Sequence, residues 1–87
     1  MVRNISNRVC YDSLYFSTLI GYRKEHYSRW VKNFVYRGHD NYDYFLNKKL
    51  STNTRRRFWL SEDFCQALCL ASGNNKALRE RRRFLKP

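Results

Sequence analysis

The sequence has few proline, glycine, cysteine and acidic residues. Its 87 residues include one Pro, three Gly and three Cys, and 18 Lys plus Arg stand against 7 Asp plus Glu. Flexible linkers are rich in glycine, serine or proline, so their scarcity predicts a single domain over residues 1–87. Residues 1–8 carry few apolar side chains, and we expect them to be loosely ordered. A chain of this length closes one hydrophobic core, which disfavours a large catalytic cleft.

Long apolar runs are also absent. No stretch approaches the roughly 18 consecutive apolar residues of a membrane span, and no apolar run near the start resembles a secretory signal. The odd set of Cys10, Cys65 and Cys69 therefore indicates reduced thiols in a cytoplasmic protein. Cys65 and Cys69 could share a metal, but no further Cys or paired His completes a familiar ligand set. We expect two small buried side chains, and no metal or other cofactor.

Positive charge and aromatic side chains are abundant. The formal net charge is +11, and 17% of the residues are aromatic. The aromatic content distinguishes the chain from a disordered basic tail, which has few large apolar groups to bury. Solubility needs a net charge of only about 2–8, so the excess indicates a polyanionic partner.

Apolar spacing predicts two helices in the first half of the chain. The first covers residues 11–20 and ends at Gly21. Its expected buried face consists of Tyr11, Leu14, Tyr15 and Leu19. The second covers residues 27–36 and ends at Gly38. Its expected buried face consists of Trp30, Val31, Phe34 and Val35.

A basic β-hairpin is predicted next. The β-favouring residues around Tyr44 and those of 58–60 indicate two short strands, with a turn near Ser51 to Thr54. The hairpin carries five cations, namely Lys48, Lys49, Arg55, Arg56 and Arg57. We also expect three tyrosines at element edges to be exposed, namely Tyr22, Tyr42 and Tyr44.

The last third of the sequence predicts two helices joined by a short turn. Ser61 is a good cap for the first, which should end at residues 72–74, and the second should begin at Asn74 or Asn75. The expected stripe of the first is Phe64, Ala67, Leu68 and Ala71, and that of the second is Ala77, Leu78, Phe84 and Leu85. Such a pair is similar to a helix-turn-helix unit. The predicted fold class is therefore α+β, with a core centred on Trp30, Phe34, Phe64, Leu68, Leu78 and Phe84.

The cations of the hairpin and the last helix form the predicted binding site. Clustered cations beside aromatic residues are typical of proteins that bind phosphate backbones, and arginine, which outnumbers lysine 12 to 6, makes forked contacts to phosphate. The site residues are Lys48, Lys49, Arg55, Arg56, Arg57, Lys76, Arg79, Arg82 and Arg83. The alternative is that these charges serve solubility alone. No carboxylate pair, Cys–His or Ser–His–acid arrangement is evident, so we expect a protein that is not an enzyme.

Four segments resemble, in order and spacing, the AntA/AntB antirepressor domain of bacteriophages and related viruses. They are residues 26–32, 43–44, 58–63 and 74–84, and the resemblance covers about residues 9–85. The residues on the family's motif positions are Trp30, Asp43, Tyr44, Leu60, Asn74, Lys76, Arg81, Arg82 and Phe84. The sequence departs from the family at Ala77, where the family has Gly, and at Arg83, where it has Tyr.

The resemblance implies a viral regulatory domain, found among proteins with KilA-N-type DNA-binding modules, that acts on repressors or on DNA in the host cytoplasm. The leading hypothesis is binding to nucleic acid, with duplex DNA favoured over RNA and the last helix in the major groove. The second is a small viral inhibitor whose basic face binds a host protein, either a repressor or a defence nuclease. A third is RNA binding through stacked aromatic side chains. The sequence leaves open the choice of target, the host partner and the formation of a homodimer.

Overall fold

The computed structural model describes residues 2–84, with side chains described up to residue 82. A four-stranded antiparallel sheet and four short helices make up an α+β fold, which confirms the predicted class. The elements are β1 (Val2–Ile5), β2 (Arg8–Asp12), α1 (Ser13–Leu19), α2 (Tyr27–Asn33), β3 (Tyr44–Leu46), β4 (Phe58–Ser61), α3 (Glu62–Ser72) and α4 (Asn75–Glu80). Short 3₁₀ turns cover Lys24–His26, Val35–Arg37 and Arg81–Phe84.

The sheet begins with a hairpin that the sequence analysis missed. β1 pairs with β2 across a two-residue turn in which Ser6 and Asn7 have φ values of 51° and 63°. Positive φ at both positions suits the right-handed twist of the strands, but Ser-Asn lacks the glycine that usually signals such a turn. The strand order is β1-β2-β4-β3. The expected loose order of residues 1–8 stays a prediction.

The predicted buried face of the first helix was wrong in part, since Leu14 and Leu19 are half-buried against the core but Tyr11 and Tyr15 are not part of the helix's buried face. Tyr11 belongs to β2, and the helix begins at Ser13 because the Asp12 carboxylate accepts a hydrogen bond from the Tyr15 amide at 3.0 Å. Tyr15 is exposed, whereas Phe16 is fully buried. The residues of α1 and its end that are buried are Ser13, Phe16, Ser17 and Ile20. The most buried side of α1 therefore contains Phe16 and Ile20, because the helix starts where β2 ends.

The second helix begins at Tyr27 and turns inward the face that was predicted, but it ends at Asn33, and Val35–Arg37 form a 3₁₀ turn. Trp30, Val31 and Val35 are buried, and Phe34 is half-buried against the core. Trp30 lies at the centre of an aromatic cluster, with ring centroids 6.0–6.4 Å from its own. The rings around it belong to Phe16, Tyr22, Tyr27 and Phe34.

The β3–β4 hairpin is confirmed, but its connection is longer than predicted. The two strands pair antiparallel, with Phe45 opposite Trp59, and residues 47–57 form a loop. Of the three tyrosines expected to be exposed, Tyr42 is 60% exposed, while Tyr22 and Tyr44 are half-buried against the core.

The predicted ends of α3 and the predicted start of α4 are confirmed, but α4 ends at Glu80, and part of the predicted buried faces was wrong. Ser61 caps α3, Gly73 ends it in the left-handed conformation at φ 67°, and Asn74 caps α4. The side chains of α3 in the core are Phe64, Cys65, Leu68 and Cys69, so two thiols replace the expected Ala67 and Ala71. Leu78 is 44% exposed instead of buried. The Phe84 side chain lies outside the described residues, as does the whole of Leu85. Residues 64 and 68 form one row along the helix, and residues 65 and 69 form the adjacent row. The buried face of α3 therefore includes the 65/69 row instead of the predicted Ala67 and Ala71.

Candidate nucleic-acid interface

The loop between β3 and β4, residues 47–57, is held by its own hydrogen bonds; we call it the basic loop. The amide of Asn47 donates to the carbonyl of Arg57 at 2.9 Å. Ser51 joins the same two residues, since its Oγ accepts from the Arg57 amide at 2.9 Å and donates to the Asn47 carbonyl at 2.7 Å. Nearer the tip, the Thr52 amide donates to the Arg55 carbonyl at 2.8 Å. The backbone that carries the cations is therefore ordered before any ligand binds.

A buried hydroxyl relay joins the end of this loop to the core. The Phe58 amide donates to Ser13 Oγ at 2.9 Å, Ser13 and Tyr27 share a 2.6 Å hydrogen bond, and Tyr27 Oη donates to the Arg56 carbonyl at 2.7 Å. Because the Tyr27 proton is directed to that carbonyl, Ser13 is the donor in the shared bond. Burial raises the pKa of Tyr27 to about 12. The phenol therefore stays a donor at neutral pH and positions the backbone of Arg56.

Arg57 has a structural partner in Asp12, and its assignment as a binding residue stays a prediction. Its Nε lies 3.1 Å from Asp12 Oδ1 and its Nη2 lies 2.6 Å from Asp12 Oδ2, a forked pair. The carboxylate is fully buried, and the Arg57 side chain is 15% exposed. No local sequence signal could reveal this pair, because the two residues are 45 positions apart.

Arg55 and Arg56 lie beside α2. The Arg55 guanidinium is 5.7 Å from the centroid of the Tyr27 ring, within the range of a cation–π contact. Arg56 is exposed and lines a cleft of about 350 Å³, which we call the α2 cleft. Its lining residues are Tyr27, Ser28, Val31, Lys32, Tyr36, Thr54 and Arg56. These residues offer cations and hydroxyl groups and include no carboxylate.

Lys48 and Lys49 lie in a different cleft. Both are exposed, and the cleft, which has a volume of about 450 Å³, also contains Trp59 of β4 and Arg3 of β1. We call it the Trp59 cleft, and its lining residues are Arg3, Leu46, Asn47, Lys48, Lys49, Leu50 and Trp59. Arg3 was not among the predicted site residues, because no strand was predicted at the start of the chain.

The cations of the last helix are divided between two surfaces. Lys76 lies with Lys24 and Arg57 in a groove of about 480 Å³ along α1, which we call the α1 groove. Its other lining residues are Asp12, Leu14, Tyr15, Thr18 and Leu19. Arg79 and Arg82 line a wide cleft with Asn75 and Leu78. The Arg83 side chain lies outside the described residues.

The predicted site residues therefore do not form one surface. In the part of the chain with described side chains, the hairpin and the last helix share a cavity at the α1 groove, through Arg57 and Lys76. Arg56 lines the cleft beside α2, whereas Lys48 and Lys49 line the cleft beside Trp59. Lys32 and Ser28, four residues apart on the exposed side of α2, join the first of these. That spacing was the one signal in the sequence that could have placed them together.

The exposed Lys and Arg side chains of residues 2–79 form no salt bridge with a carboxylate in that range. Between residues 2 and 79, one Lys or Arg side chain forms a salt bridge with a carboxylate of the same range, and that pair is Arg57–Asp12. Lys48, Lys49 and Arg56 therefore keep their donors available for an external anion. Arg8 is engaged differently, since it lies 4.1 Å from the centroid of the Tyr42 ring and donates to the Tyr42 carbonyl.

The three cysteines are free and buried, and burial was predicted for Cys65 and Cys69. Burial raises the pKa of Cys10 and of Cys65, and it raises the pKa of Cys69 to about 11. They are therefore protonated at neutral pH and poor nucleophiles. Over the described residues, no group of three or more His, Cys, Asp or Glu side chains could hold a metal ion. Within that same part of the chain, the helices are too short or too polar to cross a bilayer.

No protein-family model, curated protein or solved structure matches this chain.

Proposed function

We propose that this protein is a non-enzymatic nucleic-acid-binding domain that holds the phosphate backbone of duplex DNA. The observation that carries the proposal is an ordered loop whose exposed cations have no carboxylate partner. In the α2 cleft, Arg56 and Lys32 provide charge, while Ser28 and Thr54 provide hydroxyl donors. Phosphate oxygens are the acceptors that such a set suits best.

The fixed backbone favours this function over simple solubility. Ordering a flexible loop on binding costs free energy for each immobilised residue, and a loop already closed by hydrogen bonds avoids most of that cost. Tyr27 holds the Arg56 carbonyl, and Ser51 holds the Arg57 amide. A loop that served only to keep the protein soluble would not require these contacts.

The last helix provides the second part of the proposed contact. Asn74 caps α4, and Lys76, Arg79 and Arg82 are exposed on it or on the turn that follows. With α3, α4 forms the helix pair that is similar in sequence pattern to a helix-turn-helix unit. The resemblance to the AntA/AntB antirepressor domain supplies the proposed setting, a viral regulatory protein in the host cytoplasm.

A salt series on duplex DNA tests the proposal. The logarithm of the affinity should fall linearly with the logarithm of the salt concentration, and Arg56→Gln should flatten that slope by about 1 if the residue contacts a phosphate. Arg37→Gln is the matched control, because it removes one exposed charge from the 3₁₀ turn after α2. Equal slopes for the wild type and both variants would exclude Arg56 from the interface, and an unchanged slope for Arg55, Arg56 and Arg57 alike would exclude the hairpin.

The α1 groove favours a second candidate, binding to an acidic host protein. Leu14, Leu19 and Tyr15 form an apolar floor, and Lys24 and Lys76 flank it. A helix with one apolar face and acidic margins would fit this groove. If this is the function, one host protein should co-purify in stoichiometric amount, Lys24→Gln with Lys76→Gln should abolish its capture, and duplex DNA should not bind at physiological salt.

A further inference from the structure

Trp59 lies on the side of the sheet that faces away from the hydrophobic core. Its neighbour Leu60 is fully buried in the core, and successive strand residues point to opposite faces. Trp59 is half-buried, and it is not among the half-buried side chains that pack against the core in the described part of the chain. Phe45 is directly opposite on β3 and shares its face. A large aromatic side chain is therefore available outside the core.

Cations surround this aromatic side chain. Arg3 comes from β1, and Lys48 and Lys49 come from the start of the basic loop. None of the residues that line this cleft is acidic. Its volume of about 450 Å³ is within the range of about 300–1,000 Å³ that is usual for small-ligand sites. The cleft thus combines a flat apolar surface with three positive charges from two elements.

A nucleotide has the complementary chemistry, since it joins a flat aromatic base to a phosphate. In a duplex the bases are stacked and paired, so an aromatic side chain can stack on a base only where the nucleotide is unpaired. We propose that the Trp59 cleft binds an unpaired nucleotide of a single-stranded nucleic acid, with the base on the Trp59 indole and phosphates on Lys48, Lys49 and Arg3. This inference extends the proposed function, because it assumes a nucleic-acid partner and adds a preference for unpaired segments.

Tryptophan fluorescence provides the direct readout. The chain has two tryptophans, and Trp30 is 2% exposed, so a stacked base should quench Trp59 alone. The probes are oligothymidylate and oligouridylate of about ten nucleotides, within the usual site sizes, and a DNA duplex. We expect the single strands to quench the fluorescence, the duplex to leave it unchanged, and Trp59→Phe to remove most of the change. The two oligonucleotides distinguish DNA from RNA as the source of the unpaired nucleotide.

Affinity measurements with labelled oligonucleotides complete the test. Loss of one base–aromatic stack should weaken single-strand binding by about 5- to 150-fold in Trp59→Ala. Because Trp59 is part of β4, Trp59→Leu keeps an apolar side chain there and serves as the second variant if the first does not fold. Lys49→Gln should lower the salt slope for single strands by about 0.7. Arg37→Gln again controls for the loss of one charge.

The outcomes separate this inference from the proposed function. Single-strand binding with quenching that depends on Trp59 supports the cleft. Single-strand binding with unchanged fluorescence, or with equal affinity in Trp59→Leu and wild type, overturns the cleft, and the proposed function then stands if the duplex still binds. Absence of binding to every probe at physiological salt overturns both.

Discussion

Replacing Asp12 by alanine should destabilise this protein more than any other single loss of a carboxylate among residues 2–79. Asp12 is fully buried, forms a forked pair with Arg57 at 3.1 and 2.6 Å, and caps α1 through the Tyr15 amide at 3.0 Å. The substitution removes the cap and leaves the Arg57 guanidinium without its counter-ion. Both losses occur where the end of β2 meets the end of the basic loop.

The magnitude follows from those two contacts. Removing one member of a buried ion pair costs about 3–5 kcal/mol, and removing an N-cap side chain costs about 0.5–2 kcal/mol. We therefore expect Asp12→Ala to lose about 4–6 kcal/mol. Small domains have about 0.05–0.15 kcal/mol per residue of stability, which for this length is about 4–13 kcal/mol. The variant should be marginally folded or unfolded at room temperature.

A double-mutant cycle in urea measures the pair. Arg57→Gln leaves the cap intact but buries an unpaired carboxylate, so it should cost about 3–5 kcal/mol by itself. The double variant buries no unpaired charge, so its loss should be smaller than the sum of the two single losses by about 1–3 kcal/mol. Each kcal/mol shifts the urea midpoint by about 0.3–1 M, which Trp30 fluorescence and far-UV circular dichroism can follow.

Glu25→Ala is the matched control, because it removes an exposed carboxylate from the Lys24–His26 turn and should stay within about 0.5 kcal/mol of the wild type. Strict additivity of Asp12→Ala and Arg57→Gln, or a loss below about 1 kcal/mol for Asp12→Ala, would refute this reasoning.

Three further perturbations test other contacts. Gly38→Ala would place a Cβ 2.6 Å from a ring carbon of Phe64, so we expect a loss of about 1–3 kcal/mol in urea unfolding; an unchanged midpoint would mean that the ring gives way freely. Asn74→Ala removes the 2.7 Å bond from the Ala77 amide and should cost about 1 kcal/mol, or about 4–8 °C in Tm, whereas equal melting curves would show that the cap contributes nothing. The pKa of Tyr27 is about 12 in the folded protein and about 10 when unfolded, so the folded state holds its proton more tightly. The contribution of this higher pKa to stability is therefore constant below about pH 10 and is lost between about pH 10 and 12. Across this range the urea midpoint should fall less steeply in Tyr27→Phe than in the wild type. Equal pH dependence of the two midpoints would contradict the assignment.

Local signals in the sequence predicted the ends of α3 and the start of α4 correctly. Ser61 and Asn74 each accept a hydrogen bond from an amide three residues ahead, and Gly73 takes the left-handed conformation that favours glycine. Such interactions are complete within one turn of helix, so their residue types are visible as a short pattern. The face of α2 was predicted for the same reason, because Trp30, Val31 and Val35 repeat at helical spacing.

Long-range pairing explains what the sequence analysis missed. β2 ends at Asp12 because it pairs with β4, and this moves the start of α1 and changes which of its side chains are buried. The β1–β2 turn at Ser6-Asn7 contains no glycine, so its residue types do not indicate a hairpin turn. A strand whose partner lies far along the chain carries too weak a local pattern to be distinguished from the first turn of a helix.

A small basic α+β protein with many aromatic side chains in its core could be predicted from the sequence alone, because net charge is a sum over residues and helix caps are local contacts. Tertiary structure decided what each arginine of the basic loop does. In the sequence Arg55, Arg56 and Arg57 are three equivalent cations, yet one lies over the Tyr27 ring, one is exposed, and one is bound to a buried carboxylate. The role of a guanidinium depends on which acceptor comes within hydrogen-bond reach, and for Arg57 that acceptor comes from a strand 45 residues earlier in the chain.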